Sequence, residues 1–120
     1  MVTNQRLSDR LSSVMQMGPE DINWYHFILD HKEYLRRKST YKEYTPEQLV
    51  KYRYRPNEFY TEECKGEAYM SWIFLLVNEI RDPSEFNENN TRLYIPQATD
   101  ITTLYSTYSV SVNQKDFSDL

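Results

Sequence analysis

The chain has 120 residues, which fits a single domain, and its formal net charge of -4 argues against the basic face that nucleic-acid binding requires. Charged residues make up 27% of the chain and mean hydropathy is -0.80, so apolar residues are concentrated in a few segments. No run is apolar and long enough for a signal peptide or a membrane span. We therefore expect a soluble protein made in a cytoplasm, with tyrosine-rich interaction surface.

Residues 1–18 are polar and predict an N-terminal arm. Leu7, Leu11 and Val14 follow one another at spacings of four and three, which is too weak an amphipathic pattern for a stable isolated helix. Two interpretations remain open: the segment folds on a partner, or it is a loosely ordered terminus.

Residues 19–40 are predicted to be an amphipathic helical segment, in which the helix itself spans residues 20–38. Pro19, Glu20 and Asp21 suit the first turn, and a basic cluster ends the segment. Apolar and aromatic residues recur at helical spacing in between: Trp24, Phe27, Ile28, His31, Tyr34 and Leu35.

Residues 41–96 predict a strand–helix–helix–strand module. Val50, Tyr52 and Tyr54 alternate with basic residues, which indicates a strand that ends at Pro56. Asn57 is the expected N-cap of a helix over residues 58–65, and Gly66 is its expected end.

A second helix is predicted over residues 67–80, because Trp72 to Val77 are all apolar. Such a helix has no polar face, so we expect it at the buried centre of the domain. Asp82 and Pro83 are expected to end it, and Leu93 to Pro96 predict the closing strand. Residues 97–120 are rich in Ser, Thr and Tyr and predict an extended C-terminal tail.

The order of motifs in residues 25–96 resembles a known family. The most specific match runs from Trp72 to Pro83 and comprises Trp72, Leu75, Leu76, Asn78, Ile80, Asp82 and Pro83. The other matching residues are Arg55, Pro56, Phe59, Gly66, Leu93, Ile95 and Pro96. This pattern is similar to a LysM-type βααβ module, in the variant of the small baseplate wedge protein family of T-even-type contractile-tailed bacteriophages. One departure is the polar first helix, which carries Thr61 and Glu62.

The resemblance implies an α+β structural protein that is not an enzyme. It would bridge neighbouring wedge subunits around the central hub of a tail baseplate in the virion, contacting other wedge proteins and hub or sheath-proximal tail proteins in a multi-copy ring. Apolar and tyrosine surface would be buried against these partners. Candidate contacts are Trp24, Phe27, Tyr34, Tyr105 and Tyr108. No cofactor, metal, nucleic acid, membrane or small-molecule substrate is expected.

No catalytic or metal-binding pattern emerges from the residues themselves. His26 and His31 are five apart, which is wrong for a pair of ligands on one helix face. Cys64 has no nearby base in sequence, and no spacing singles out a carboxylate pair. Asn78, Asp82 and Pro83 are expected to shape the turn after the second helix.

A carbohydrate-binding LysM module that recognises N-acetylglucosamine polymers is the alternative. Such modules usually occur beside a catalytic domain or in tandem copies, after an export signal. Calorimetry with peptidoglycan fragments would discriminate, since the structural hypothesis predicts no saturable binding.

Overall fold

Six α-helices and a two-stranded antiparallel sheet make up the part of the chain that the computed structural model describes, residues 18–118, with side chains described to residue 110. The architecture is α+β, as the sequence predicts. The predicted N-terminal arm, residues 1–18, lies outside the described residues apart from Gly18.

The predicted helix over residues 20–38 forms as two consecutive helices, α1 (Ile22–Asp30) and α2 (Lys32–Lys38). Asp21 caps α1, because its side chain accepts a hydrogen bond from the Trp24 main-chain nitrogen at 3.1 Å. His31 separates the helices, with φ -104° and ψ 18°, and its Nδ1 lies 2.8 Å from the carbonyl oxygen of Phe27. The prediction was right in extent and wrong in treating the helix as continuous.

The predicted strand over Val50 to Arg55 is wrong. Helix α3 (Pro46–Val50) occupies the start of this segment, held by a capping box between Thr45 and Gln48. Leu49 and Tyr52 are buried, and their separation by three residues is a helical spacing. The alternation of Tyr and basic residues therefore did not reflect a strand.

The first strand, β1, lies earlier, at Thr40–Glu43. All four of its side chains are exposed, so it carries no alternating pattern that sequence analysis could detect. The order of elements is therefore β1, three helices and a closing strand, where two helices were predicted between the strands.

Helix α4 (Pro56–Glu58) continues into a π-helical turn, Phe59–Glu63, close to the predicted span. Arg55, not Asn57, is at the N-cap, and Pro56 is in the first turn. Lys65, with φ 57°, takes the left-handed conformation that was expected of glycine. Gly66 is needed for space instead, because a Cβ there would lie 2.3 Å from the Tyr60 ring.

A 3-10 turn, Ala68–Met70, leads into helix α5 (Ser71–Val77), within the predicted span. The helix ends before Asp82 and Pro83, which were expected to end it; Pro83–Glu85 form a separate 3-10 turn. Glu79 ends α5 in the left-handed conformation, with φ 58°. The bonds from Glu79 N to Leu76 O (3.1 Å) and from Ile80 N to Leu75 O (2.9 Å) close the helix in the Schellman pattern.

Strand β2 (Arg92–Ile95) confirms the predicted closing strand to within one residue. It pairs antiparallel with β1, with Thr40 opposite Ile95 and Glu43 opposite Arg92. Side chains of β2 alternate between the core and the surface, as expected for a half-buried strand.

The extended tail predicted over residues 97–120 is also wrong, because residues Ala98–Ser118 form helix α6. Ile101 and Leu104 are buried, and Tyr105 and Tyr108 pack against the core, so one face follows the helical spacing i, i+3, i+4, i+7. Four hydroxyl groups bond the carbonyl oxygen four residues earlier: Thr102, Thr103, Ser106 and Thr107.

The core is contiguous and rich in aromatic rings. Phe59 lies at its centre, with the ring centroids of four other aromatic side chains 5.1 to 6.1 Å away: Tyr44, Tyr52, Phe74 and Phe86. The buried aliphatic residues surround these rings: Ile28, Leu35, Leu49, Met70, Ile73, Val77, Ile80, Leu93, Ile95, Ile101 and Leu104.

Candidate functional site

An open groove lies between helices α1 and α5, and six of its nine lining residues are apolar or aromatic. Tyr25 of α1 stacks on Trp72 of α5, with ring centroids 6.0 Å apart and 29° between the ring planes. Leu75 and Leu76 continue the apolar surface. The groove has a volume of about 530 Å³, and the other lining residues are Pro19, Lys32, Glu79, Ile80 and Arg81.

The groove exists because α5 has no polar face. Ile73, Phe74 and Val77 point into the core, whereas Trp72, Leu75 and Leu76 remain half-buried. The prediction that Trp72, Leu75 and Leu76 lie in the core is therefore corrected. A helix that is apolar all round needs cover on every side. Here part of that cover is missing among the described residues.

Charged side chains border the groove around Glu79. Its Oε1 is 3.6 Å from Lys32 Nζ and 3.4 Å from a guanidinium nitrogen of Arg36. Glu79 holds the left-handed conformation described above, which costs a residue with a side chain on the order of 1–2 kcal/mol relative to glycine. A carboxylate is thus held at a strained position beside the groove.

The indole N–H of Trp72 is covered and has no hydrogen-bond acceptor among the described residues. A buried donor without a partner costs about 1–3 kcal/mol, so most buried donors in folded proteins are paired. The hydroxyl of Tyr69 is the other buried side-chain group that lacks a hydrogen-bond partner among the described residues.

Four of the five aromatic residues proposed from sequence as partner contacts lie together, but within the chain: Trp24, Phe27, Tyr105 and Tyr108. Trp24 is 1% exposed and is a core residue, which corrects its prediction as a contact. Tyr105 and Tyr108 meet its indole edge-on, with centroids at 5.9 and 5.3 Å, and Tyr108 also contacts Phe27 at 5.2 Å. This cluster attaches α6 to α1. Tyr34 is half-buried.

The residues predicted to carry the fold motif divide by burial. Six are buried: Pro56, Phe59, Ile80, Leu93, Ile95 and Pro96. Five are half-buried: Gly66, Trp72, Leu75, Leu76 and Asn78. Three are exposed: Arg55, Asp82 and Pro83. The Arg55 guanidinium contacts Glu58 and the main-chain oxygen of Lys51, and Asp82 accepts a hydrogen bond from Ser84 at 2.8 Å.

Cys64 is not an activated nucleophile. Its Sγ lies 3.8 Å from the Tyr44 hydroxyl, and burial raises the pKa of the thiol to about 11. Burial likewise raises the pKa of Tyr44. A thiol with this pKa is almost fully protonated at neutral pH, so its role is in packing.

Sequence reasoning missed Tyr25, Lys32, Glu79 and Arg81 as groove residues. The continuous apolar run of α5 was the available signal, since a short helix in a small domain rarely buries every side. The described residues 18–118 contain no group of three potential metal ligands and no helix with the length and hydropathy of a membrane span.

Searches with this chain against protein-family models, curated proteins and solved structures find no match, so the groove is interpreted from its own chemistry.

Proposed function

We propose that the protein is a docking component of a larger assembly, and that the groove between α1 and α5 receives a segment of a neighbouring protein. The observation that carries this proposal is the uncovered face of α5, where Trp72, Leu75 and Leu76 line a groove that Tyr25 closes on one side. Contiguous apolar surface of this kind marks interaction sites in soluble proteins, and Trp and Tyr are enriched there.

We further propose that the assembly is the baseplate of a contractile phage tail, with the chain bridging neighbouring wedge subunits in the virion. The support is the resemblance of Trp72 to Pro83, together with the flanking Arg-Pro and Leu-Tyr-Ile-Pro motifs, to the LysM-type module of the wedge protein family. Several copies around a ring would strengthen modest individual contacts through effective concentration. No catalytic role is part of this proposal.

Co-purification from assembled tails tests the proposal. The chain is expected to remain with tail proteins encoded by neighbouring genes when tail particles are isolated, and to be lost when Leu76 is replaced by Glu. Val50→Glu is the matched control, because it introduces the same charge at an aliphatic residue that is 47% exposed and lies outside the groove. Absence of the wild-type chain from the particles, or undiminished incorporation of folded Leu76→Glu, would contradict it.

A LysM-type carbohydrate module is the second candidate, favoured by one observation: two aromatic rings, Tyr25 and Trp72, line the groove. Sugar rings pack on aromatic faces, and Lys32 and Arg81 could bind hydroxyl groups. Calorimetry with N-acetylglucosamine oligomers distinguishes the two functions. Saturable binding that Trp72→Ala abolishes would favour the carbohydrate module over protein docking.

A further inference from the structure

The polar groups around the groove are mainly hydrogen-bond donors. Glu79 is the one carboxylate among the lining residues, and Lys32 and Arg36 already engage it. Arg81 lines the groove, is exposed, and makes no ion pair with any described residue. Among its charged lining residues the groove therefore has two cations, Lys32 and Arg81, against one carboxylate that is already paired.

We infer that the segment received by the groove is an acidic one, with large apolar side chains flanked by carboxylates. The apolar side chains would cover Trp72, Leu75 and Leu76, and the carboxylates would pair with Arg81 and Lys32. This inference rests on the proposed docking function and specifies the chemistry of its partner. Charge complementarity of this kind has a larger effect on partner choice and on the association rate than on the affinity.

The negative net charge of the whole chain means that an acidic peptide is attracted at the groove and not by the protein surface in general. With a formal net charge of -4, the protein repels an acidic peptide in general. Binding of such a peptide must then come from the local donors and the apolar lining. The chain's own first 17 residues are a poorer match, because their charged side chains are Arg6, Arg10 and Asp9, two positive against one negative.

Three synthetic probes of equal length test the inference on the full chain. The first is a helical 14-residue peptide with leucines at spacings of four and three and glutamates at its other exposed positions. The second carries glutamines in place of the glutamates, and the third carries lysines. Calorimetry gives the affinities, and the nuclear magnetic resonance signal of the Trp72 indole N–H, assigned with Trp72→Phe, locates the binding site.

The acidic peptide is expected to bind about tenfold or more tightly than either analogue, and to weaken as salt rises from about 0.05 to 0.5 M. It is expected to move the Trp72 indole signal. Arg81→Glu should weaken it about tenfold, whereas Lys42→Glu, the same charge change on the exposed strand β1, should leave the affinity within about twofold.

The outcomes separate the partner chemistry from the docking function. If the acidic and glutamine peptides bind the groove with equal affinity, the inference of an acidic partner is wrong, whereas the proposed docking function is still supported. An acidic peptide that fails to move the Trp72 signal, or that binds equally to Arg81→Glu, also overturns the inference. Tighter binding of a synthetic peptide of residues 1–17 than of the acidic peptide would assign the groove to the chain's own N-terminal segment. Tail co-purification tests the baseplate function separately.

Discussion

The side chain of Asn78 binds both main-chain polar groups of Tyr94. Its Nδ2 donates to the Tyr94 carbonyl oxygen at 2.8 Å, and its Oδ1 accepts from the Tyr94 nitrogen at 2.8 Å. The same Nδ2 donates to the carbonyl oxygen of Phe74, also at 2.8 Å. One amide thus completes the end of α5 and occupies the outer edge of β2, as a neighbouring strand would.

Replacing Asn78 with Ala is therefore expected to destabilise the fold by about 2–3 kcal/mol, since three half-buried hydrogen bonds are lost at about 1 kcal/mol each. Urea unfolding with a constant m-value measures the change. Asn23→Ala is the control, because Asn23 is exposed on α1, and a change within about 0.5 kcal/mol is expected there. Equal effects of the two variants would contradict the role assigned to Asn78.

The two glycines offer a matched pair of substitutions. Gly66→Ala should destabilise by about 1–3 kcal/mol, because the new Cβ would lie 2.3 Å from the buried Tyr60 ring. In Gly18→Ala the new Cβ meets only the Glu20 side chain, which is exposed and can move away. Thermal unfolding of both variants decides the point, and a Gly66→Ala protein as stable as the wild type would show that Tyr60 packs differently.

Glu79 should report the cost of a side chain in the left-handed conformation. Glu79→Ala keeps that cost and loses the surface ion pairs to Lys32 and Arg36, whereas Glu79→Gly loses the same pairs and removes the cost. We expect the Gly variant to be more stable than the Ala variant by about 1 kcal/mol in urea unfolding. An Ala variant of equal or greater stability would mean that φ at residue 79 is not positive in solution.

Cys64 should react slowly in the native state. At pH 8, a rise of the thiol pKa from 9.0 to about 11 lowers the thiolate fraction, and hence the rate of alkylation by iodoacetamide, about a hundredfold relative to the urea-unfolded chain. The predicted ratio is measured by mass spectrometry of quenched samples. Comparable native and unfolded rates would place Cys64 in an open environment instead.

The same pKa shift predicts a pH dependence of stability. Below pH about 9 the thiol is protonated in both states, so it contributes no difference. Above that pH the unfolded chain releases its proton first, and the free energy of unfolding falls until pH about 11. Cys64→Ala removes this part of the decline, whereas the half-buried Tyr44 and the buried Tyr60, whose pKa values burial also raises, continue to contribute to it.

The sequence predicted the helices that have strong patterns and missed the elements that depend on distant contacts. The apolar run of α5 identified a helix, but it could not show which side of that helix the rest of the chain would cover. Helix α6 is rich in Thr, Ser and Val, which favour extended structure when considered alone. Contacts of Tyr105 and Tyr108 with Trp24 stabilise the helix instead, and local pattern contains no information about them.

The candidate site shows the same limit. Tyr25 and Lys32 reach the groove from α1 and α2, which precede strand β1, whereas Trp72 and Glu79 lie between β1 and β2 in the sequence. Only the packing of α2 against α5 brings them together. The resemblance identified Trp72 as an important residue but assigned it to the core, because an aromatic residue in an apolar run is usually buried.

Strand β1 carries one further consequence. Both main-chain polar groups of Tyr94 bind Asn78, so Tyr94 and its cross-strand partner Tyr41 form a non-hydrogen-bonded pair of the antiparallel sheet. The main-chain N–H and C=O of Tyr41 therefore face away from β2. If two molecules joined there with Tyr41 of each opposite Glu43 of the other, their Lys42 side chains would face each other. Repulsion between the two ammonium groups then disfavours dimerisation of identical chains through this edge in that register.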